Sequence, residues 1–192
     1  MQERRTNSDR SLETRGALLA AARALFVEKG YAAAGTPEVV ERAKVTRGAL
    51  YHHFKDKQAL LLAVIEAEAA QIAAGIEAGS QHAGTPAEAL REGAAAYFAA
   101  MRYPGRIRLM LLEGPAVLGP EVMRRIDLEA GGREVRIGIA AALGDRASPT
   151  KVETIADLVS AMFDRAALAC DAGADPKTYE DEIGSLLTLI VR

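Results

Sequence analysis

The side chains best suited to contact a polyanion lie together in one short segment, residues 36–57. The guanidinium of Arg47 can donate two hydrogen bonds to guanine O6 and N7, and the Tyr51 hydroxyl can reach a phosphate oxygen. Gly48 next to Arg47 would let a backbone approach base edges closely. Lys57 would add an ammonium and free N–H groups at a helix N-terminus, which attract phosphate. The segment therefore has the chemistry of a DNA-contacting surface.

Two short predicted helices position these side chains. Thr36 is expected to cap the first helix, which Pro37 opens, and Thr46 is expected to cap the second. The residues expected to pack inward are Val39, Val40, Ala43, Ala49 and Leu50. Two short helices joined by a tight turn form a helix-turn-helix, whose second helix fits the major groove.

Residues 15–65 resemble the DNA-binding region of the tetracycline-repressor (TetR) family. The resemblance rests on Ala21-Ala22, Leu25-Phe26, Gly30-Tyr31, the run from Val45 to Phe54, Asp56-Lys57 and Ala59-Leu60-Leu61. By position, it implies DNA contacts from Thr46, Arg47, Gly48, Tyr51, His52 and Lys57, with Thr36 as an additional phosphate contact.

Two positions depart from the family pattern. The family usually has a Thr-Ser or Thr-Thr pair before the first motif helix, whereas this chain has Ala34-Gly35. The family turn usually carries glycine where this chain has Lys44. If Lys44 adopts a positive φ, the strain costs roughly 1 kcal/mol, and a phosphate contact from Lys44 would offset part of it.

The distribution of charge divides the chain. The net charge of -2 combines 11 basic and 7 acidic residues within 1–57 with 13 basic and 19 acidic residues within 58–192. A basic end on an acidic body suggests an end that meets a polyanion, although ordinary scatter of surface charge explains the numbers equally well. We predict a DNA-binding domain over 1–56 and a ligand-binding and dimerisation domain over 57–192. Residues 1–10 are expected to be a flexible arm, in which Arg4, Arg5 and Arg10 either follow phosphates or, as we prefer, stay solvated.

Helical periodicity and the placement of prolines predict an all-α fold. The expected helices, about nine in number, lie near 11–29, 37–43, 47–53, 57–79, 86–102, 105–112, 120–142, 149–171 and 177–191. All seven prolines fall at helix boundaries, and Gly30 is expected to end the first helix. A single cysteine excludes a disulfide framework, and the N-terminus does not read as a signal peptide. We predict a cytoplasmic protein with no membrane span.

The helices after residue 57 suggest a body with two roles. The long helix near 57–79 would link it to the DNA-binding end. Broad apolar faces near 149–171 and 177–191 suggest a homodimer interface, with an intramolecular core as the alternative. The expected apolar wall of a pocket consists of Tyr97, Met101, Met110, Met123, Met162 and Phe163, and its expected polar groups are Arg102, Arg106, Arg108 and Glu113. Such residues are also common in plain cores. Residues 110–127 resemble a segment of TetR-like C-terminal domains, which implies a small apolar or amphipathic effector.

No cofactor or metal site is predicted, because adjacent His52 and His53 point in different directions on a helix and no ligand spacing is present. The favoured hypothesis is a homodimeric regulator, most simply a repressor, that binds a double-stranded, pseudo-palindromic operator and is released by a small molecule. The alternative is a helical small-molecule carrier, or an enzyme using Arg106, Arg108 and Glu113, without DNA binding.

Overall fold

The computed structural model describes residues 7–191, and every regular element within them is helical. The ten α-helices are α1 (Asn7–Lys29), α2 (Thr36–Ala43), α3 (Arg47–His53), α4 (Lys57–Ser80), α5 (Pro86–Met101), α6 (Gly114–Leu118), α7 (Pro120–Glu129), α8 (Gly131–Leu143), α9 (Pro149–Asp171) and α10 (Pro176–Val191). A π-helical segment, Arg108–Glu113, runs directly into α6, and a 3₁₀ turn, Gly144–Arg146, follows α8. The prediction of an all-α fold is confirmed.

Most helices begin at the residues that the sequence indicated. The side chains of Thr46, Thr85 and Ser148 each accept a hydrogen bond from the backbone N–H three residues later, at 3.1, 3.2 and 3.3 Å. Gly30 ends α1 with a φ of 82°. Helix α2 differs from the prediction, because Gly35 is its N-cap and Thr36 its first residue. Here the Glu38 carboxylate accepts the Gly35 N–H at 3.1 Å, so a side chain inside the helix satisfies the cap.

Three predicted boundaries were wrong. The expected helix over 120–142 is two helices, α7 and α8, because the chain turns at Ala130 and the Asp127 carboxylate accepts the Gly132 N–H at 3.2 Å. The expected helix over 105–112 is mostly the π-helical segment. Helix α1 is already helical at Asn7, the first described residue, which is earlier than the expected start near residue 11. Arg10 is therefore helical, while Arg4 and Arg5 lie outside the described residues.

Two apolar cores form most of the interior of the described chain. The first buries the inner faces of α1 to α4, and the second is formed by α5, α8, α9 and α10. A smaller cluster, which includes Ile72 and Ile76 of α4, lies between them. Helix α4 is long and apolar enough to cross a membrane by length and composition, but half of its most apolar window is buried inside the protein. It is the shared core helix that joins the N-terminal head, α1 to α3, to the body.

A buried charge cluster strengthens this junction. Glu68 of α4 is 2% exposed, and its two carboxylate oxygens each accept a 2.7 Å hydrogen bond, one from Arg23 Nε of α1 and one from Arg106 Nε. Arg106 also donates to the Ala100 carbonyl and the Gln71 amide oxygen, both at 2.8 Å. Burial alone would raise the pKa of Glu68, but the hydrogen bonds from Arg23 and Arg106 outweigh it and hold the pKa below its ordinary value. The head is thus attached to the body by a fully satisfied ionic contact.

Candidate nucleic-acid interface and effector cavity

The turn between α2 and α3 has the strained conformation that the sequence suggested. Lys44 has a φ of 54°, the one positive value found at a non-glycine residue within 7–191. Its N–H donates to the carbonyl of Glu41 at 3.1 Å, and the following Val45 N–H donates to Val40 at 3.1 Å. The tight turn therefore holds α3 against α2 and leaves the Lys44 side chain exposed.

Helix α3 presents most of the predicted contact residues on its outer side. Thr46, Arg47, Gly48, Tyr51 and His52 are all exposed, while Leu50 is completely buried and anchors the helix. The backbone amide of Ala49 is satisfied by Thr46, so the helix starts with an ordered cap. The local geometry thus turns one face of α3 toward solvent.

Three of the predicted residues meet around one hydroxyl group. Tyr51 is 43% exposed, and the guanidinium carbon of Arg47 lies 5.5 Å from the centre of its ring. Side-chain hydrogen bonds with Thr36 and then with Arg47 lower the pKa of the Tyr51 hydroxyl. Thr36 of α2 is therefore brought beside the α3 surface, although it is not the cap of its own helix.

Gly48 has no structural reason within the chain to lack a side chain. A Cβ atom built at Gly48 would find only Thr46 Oγ1, at 3.8 Å, and its backbone is ordinary helix. A larger residue would therefore fit the isolated protein. What the glycine provides is a low point on the exposed face of α3, which a groove-reading helix needs.

Lys57 lies apart from the α3 surface and has its own partners. Its ammonium donates to the carbonyls of Tyr31 and Ala34 at 2.8 and 3.1 Å and lies 4.3 Å from the Tyr31 ring centre. These bonds stabilise the loop between α1 and α2. At the N-terminus of α4, the Asp56 carboxylate caps the first turn by accepting the Ala59 N–H at 2.7 Å.

A cavity of about 520 Å³ lies in the body between α4, α5, α7, α8 and α9. It is lined by five of the eight predicted effector residues, namely Tyr97, Met101, Met110, Met123 and Phe163. This partly open cavity has the size that small-molecule sites usually have.

The other three predicted effector residues do not line this cavity. Arg102 forms a 2.6 Å ion pair with Glu180 on the surface, and Met162 packs into the second core. Glu113 accepts from Arg108 Nη2 at 3.1 Å and from the Tyr31 N–H at 3.2 Å. Glu113 and Arg108 therefore hold the body against the head, as Arg106 does through Glu68. The sequence pattern did not reveal this role of Glu113, Arg108 and Arg106, because a charged residue in an apolar segment gives the same pattern whether it faces a cavity or a domain junction.

Sequence reasoning missed the main polar groups of the cavity. Asp164 of α9 accepts a 2.9 Å hydrogen bond from the Tyr97 hydroxyl, and burial raises its pKa to about 6. Burial also raises the pKa of Asp127 of α7, even though its side chain is accessible from the cavity. The sequence contained a usable signal for an acidic surface on α9, because Asp157 and Asp164 are seven residues apart and share one face of a predicted helix.

The apolar faces of the last two helices divide into buried and exposed residues. Val159, Phe163, Ile183 and Leu187 are buried in the second core of this chain. Leu158, Leu186 and Leu189 are 65%, 44% and 62% exposed. The intramolecular core therefore accounts for part of these apolar faces, and an apolar strip remains uncovered on α9 and α10.

Comparison with known proteins agrees with this architecture. Residues 18–64 match the family model of bacterial regulatory proteins of the tetR family, and residues 87–192 match the tetracyclin repressor-like C-terminal domain. A solved structure of a TetR-family transcriptional regulator from Pectobacterium atrosepticum is 32% identical with a TM-score of 0.70, covering 98% of this chain and 96% of that one.

Two curated relatives are similar over shorter stretches. The HTH-type transcriptional activator FasR of Mycolicibacterium smegmatis is 32% identical over 114 residues, which cover 59% of this chain and 52% of FasR. The HTH-type transcriptional regulator CymR of Pseudomonas putida is 48% identical over 64 residues, which cover 33% of this chain and 32% of CymR. The matched region thus spans about half of FasR and a third of CymR. Because a C-terminal family model covers more than half of the chain and a helix-turn-helix model precedes it, the chain belongs to the TetR family of bacterial transcriptional regulators.

Proposed function

We propose that this chain is a ligand-responsive homodimeric repressor that acts in the cytoplasm on a pseudo-palindromic DNA operator. The observation that carries the proposal is the exposed pair of Arg47 and Tyr51 on the capped helix α3, with the half-buried Thr36 of α2 beside them. In a two-fold dimer, two copies of α3 would enter successive major grooves about 34 Å apart. Lys44, Thr46, Gly48 and His52 would line the same contact, and Lys57 would contribute its backbone N–H at the start of α4.

Titration of labelled DNA from the region upstream of the protein's own gene tests this proposal. We expect the affinity to fall steeply with salt, because phosphate contacts release counterions. Arg47→Ala should weaken binding roughly ten- to hundred-fold at constant salt, the usual value of a bidentate base contact. Arg133→Ala, at an exposed arginine of α8, is the matched control and should leave the affinity unchanged. Equal losses for the two variants would contradict a reading role for α3.

The homodimer is proposed to form through α9 and α10. Its support is the uncovered strip of Leu158, Leu186 and Leu189, since large apolar side chains that remain exposed on adjacent helices favour association. We expect Leu158→Glu with Leu189→Glu to give monomers in sedimentation velocity and to abolish tight operator binding. Leu128→Glu on α7, where the leucine is 47% exposed, is the control. A double variant that sediments as the parent protein does would contradict this interface.

Effector binding is proposed to act through α4, because this helix contributes to both sites. Ile72 and Ile76 line the cavity, while Leu60 and Leu61 belong to the core of the head. A ligand that displaces the middle of α4 would change the separation of the two α3 helices, provided that it binds the DNA-incompetent form better. The relatives are transcriptional regulators. The alternative, a carrier or enzyme, would be favoured by ligand binding or turnover in a chain that binds no operator.

A further inference from the structure

The polar lining of the cavity is predominantly acidic. Its titratable side chains are Tyr97, Arg124, Asp127, Glu134, Asp157 and Asp164. The single cationic group, Arg124, lies 3.4 Å from Asp157, and both side chains are exposed at the rim. Within residues 7–191, no lysine or arginine forms an ion pair with Asp127, Glu134 or Asp164. The cavity therefore has more negative than positive groups.

Asp164 is positioned but not neutralised. Its Oδ1 accepts the Tyr97 hydroxyl at 2.9 Å, and within the described residues its other oxygen accepts no hydrogen bond from the protein. The Tyr97 ring packs 5.2 Å from the ring of Phe163, the residue before Asp164, so the two polar groups are held in place by aromatic packing. A carboxylate in such surroundings gains most from a cationic partner.

Asp127 lies at the same cavity and is held by hydrogen bonds from other groups. Its Oδ1 accepts the N–H of Gly132 at the start of α8, and Ser160 supplies a further side-chain hydrogen bond. A Cβ atom at Gly132 would lie 2.4 Å from Asp127 Oδ2, so this approach needs glycine. The break between α7 and α8 thus places a second carboxylate on the cavity wall, close enough to Asp164 to raise its pKa.

The remaining lining is apolar and includes Ile72, Ile76, Leu90, Met110 and Phe163. This surface suits rings or alkyl chains, and the volume is sufficient for a molecule of drug-like size. An anionic group would be repelled by the carboxylates. A neutral hydroxyl would be accepted, but a charge-assisted hydrogen bond is about twice as strong.

Resting on the proposed effector-binding function, we infer that the cavity binds a hydrophobic organic cation whose ammonium or amidinium group contacts Asp164 and Asp127. The ligand supplies the counter-charge that Arg23 and Arg106 supply to Glu68 elsewhere in the body. Its apolar part lies between α4, α5 and Phe163.

Three compounds with one scaffold and different charge test the inference. The probes are 4-(naphthalen-1-yl)butylamine, the corresponding alcohol and the corresponding carboxylate, each titrated calorimetrically into the full-length dimer at pH 7.5. We expect the amine to bind about ten-fold or more tightly than the alcohol, and the carboxylate to bind most weakly. Asp164→Asn should reduce the amine to the level of the alcohol while changing the alcohol little.

Glu153→Gln removes the same charge from an exposed position of α9 outside the cavity, and should keep the preference for the amine. Asp127→Asn is the second variant, so that poor folding of one leaves the other as a test. The inference is overturned if the alcohol binds as tightly as the amine, if both Asn variants keep the preference, or if no probe binds. Operator binding measured on the same preparation separates these results from failure of the proposed function, which depends on Arg47.

Discussion

Two carboxylates inside the helical body, Glu68 and Asp164, have opposite environments. Each oxygen of Glu68 accepts a 2.7 Å hydrogen bond from a guanidinium, and its pKa is lowered. Asp164 has one neutral donor, the Tyr97 hydroxyl, and its pKa is raised to about 6. Burial penalises both anions, so the difference lies in the partners that the fold provides. The protein supplies a cationic partner to each oxygen of Glu68, whereas the partner of Asp164 is a neutral hydroxyl group.

The positions of Glu68 and Asp164 explain why the two carboxylates have different partners. Glu68 lies where α1, α4 and the segment before the π-helix meet, so Arg23 and Arg106 reach it from two directions. Asp164 faces a cavity, where a permanent partner from the protein would fill the space that a ligand needs. A residue that lowers stability in the unliganded protein is typical of a binding site. The comparison therefore separates a carboxylate that the protein itself neutralises from one that has a single neutral donor beside a cavity.

The largest expected effect follows removal of the charge of Glu68. Glu68→Gln leaves Arg106, which is 5% exposed, without its counter-ion, and should lower the free energy of unfolding by about 3 kcal/mol. Urea denaturation followed by circular dichroism measures it, with Glu66→Gln at an exposed site of α4 as the control. The folded pKa of Glu68 is lowered, so its contribution is present above the ordinary Glu pKa and is lost as pH falls through the folded value. Equal stability of both variants at pH 7 would contradict a structural role for the cluster.

Asp164→Asn should have a smaller effect of the opposite sign. Because the folded pKa is raised from 3.8 to about 6, the folded state holds the proton more tightly, and stability falls as pH rises through this interval. The full shift corresponds to about 3 kcal/mol. Asp164 is only partly buried, so after a discount for solvent screening the Asn variant should be more stable than the parent by about 2 kcal/mol at pH 7.5. The difference should disappear near pH 4.

Thermal unfolding of the ligand-free protein between pH 4 and pH 8 measures this difference. Asp171→Asn, at the exposed end of α9, serves as the control. A destabilised Asp164→Asn protein at pH 7.5 would mean that Asp164, like Glu68, maintains the fold.

The head could be predicted from the sequence much more fully than the body. Thr46, Leu50 and Tyr51 act within one short motif, where caps and helical spacing determine which side chains are exposed. The cavity instead depends on residues far apart in sequence, such as Tyr97 and Asp164, that only packing brings together. The same limit explains why Glu113 was assigned to the pocket. Periodicity predicts the buried face of a helix but not which neighbour covers it.

Removing the hydroxyl of Tyr97 should change stability by less than the two carboxyl substitutions, and it tests how Asp164 is held. Tyr97→Phe keeps the ring but deletes the hydrogen bond that lowers the pKa of Asp164, so that pKa should rise above its present value of about 6. The cost in stability should be about 1 kcal/mol, the usual net value of one hydrogen bond. Carbon-13 NMR of the Asp164 carboxyl carbon follows the titration directly, and Tyr103→Phe, at a 51% exposed ring, is the control. An unchanged Asp164 titration would show that Tyr97 does not hold this carboxylate.

The smallest effect is expected at an exposed ion pair that has the same short contact as Glu68. Arg42 donates to both oxygens of Glu28 at 2.7 and 2.9 Å, and this hydrogen bonding lowers the pKa of Glu28. The distance and the direction of the pKa shift thus match those of Glu68, and the two sites differ in burial. Because water replaces a lost partner at the surface, Arg42→Ala should leave the unfolding transition within experimental error. If it costs as much as Glu68→Gln in the same urea titration, burial is not what makes the Glu68 cluster important, and the contrast with Asp164 would need a different cause.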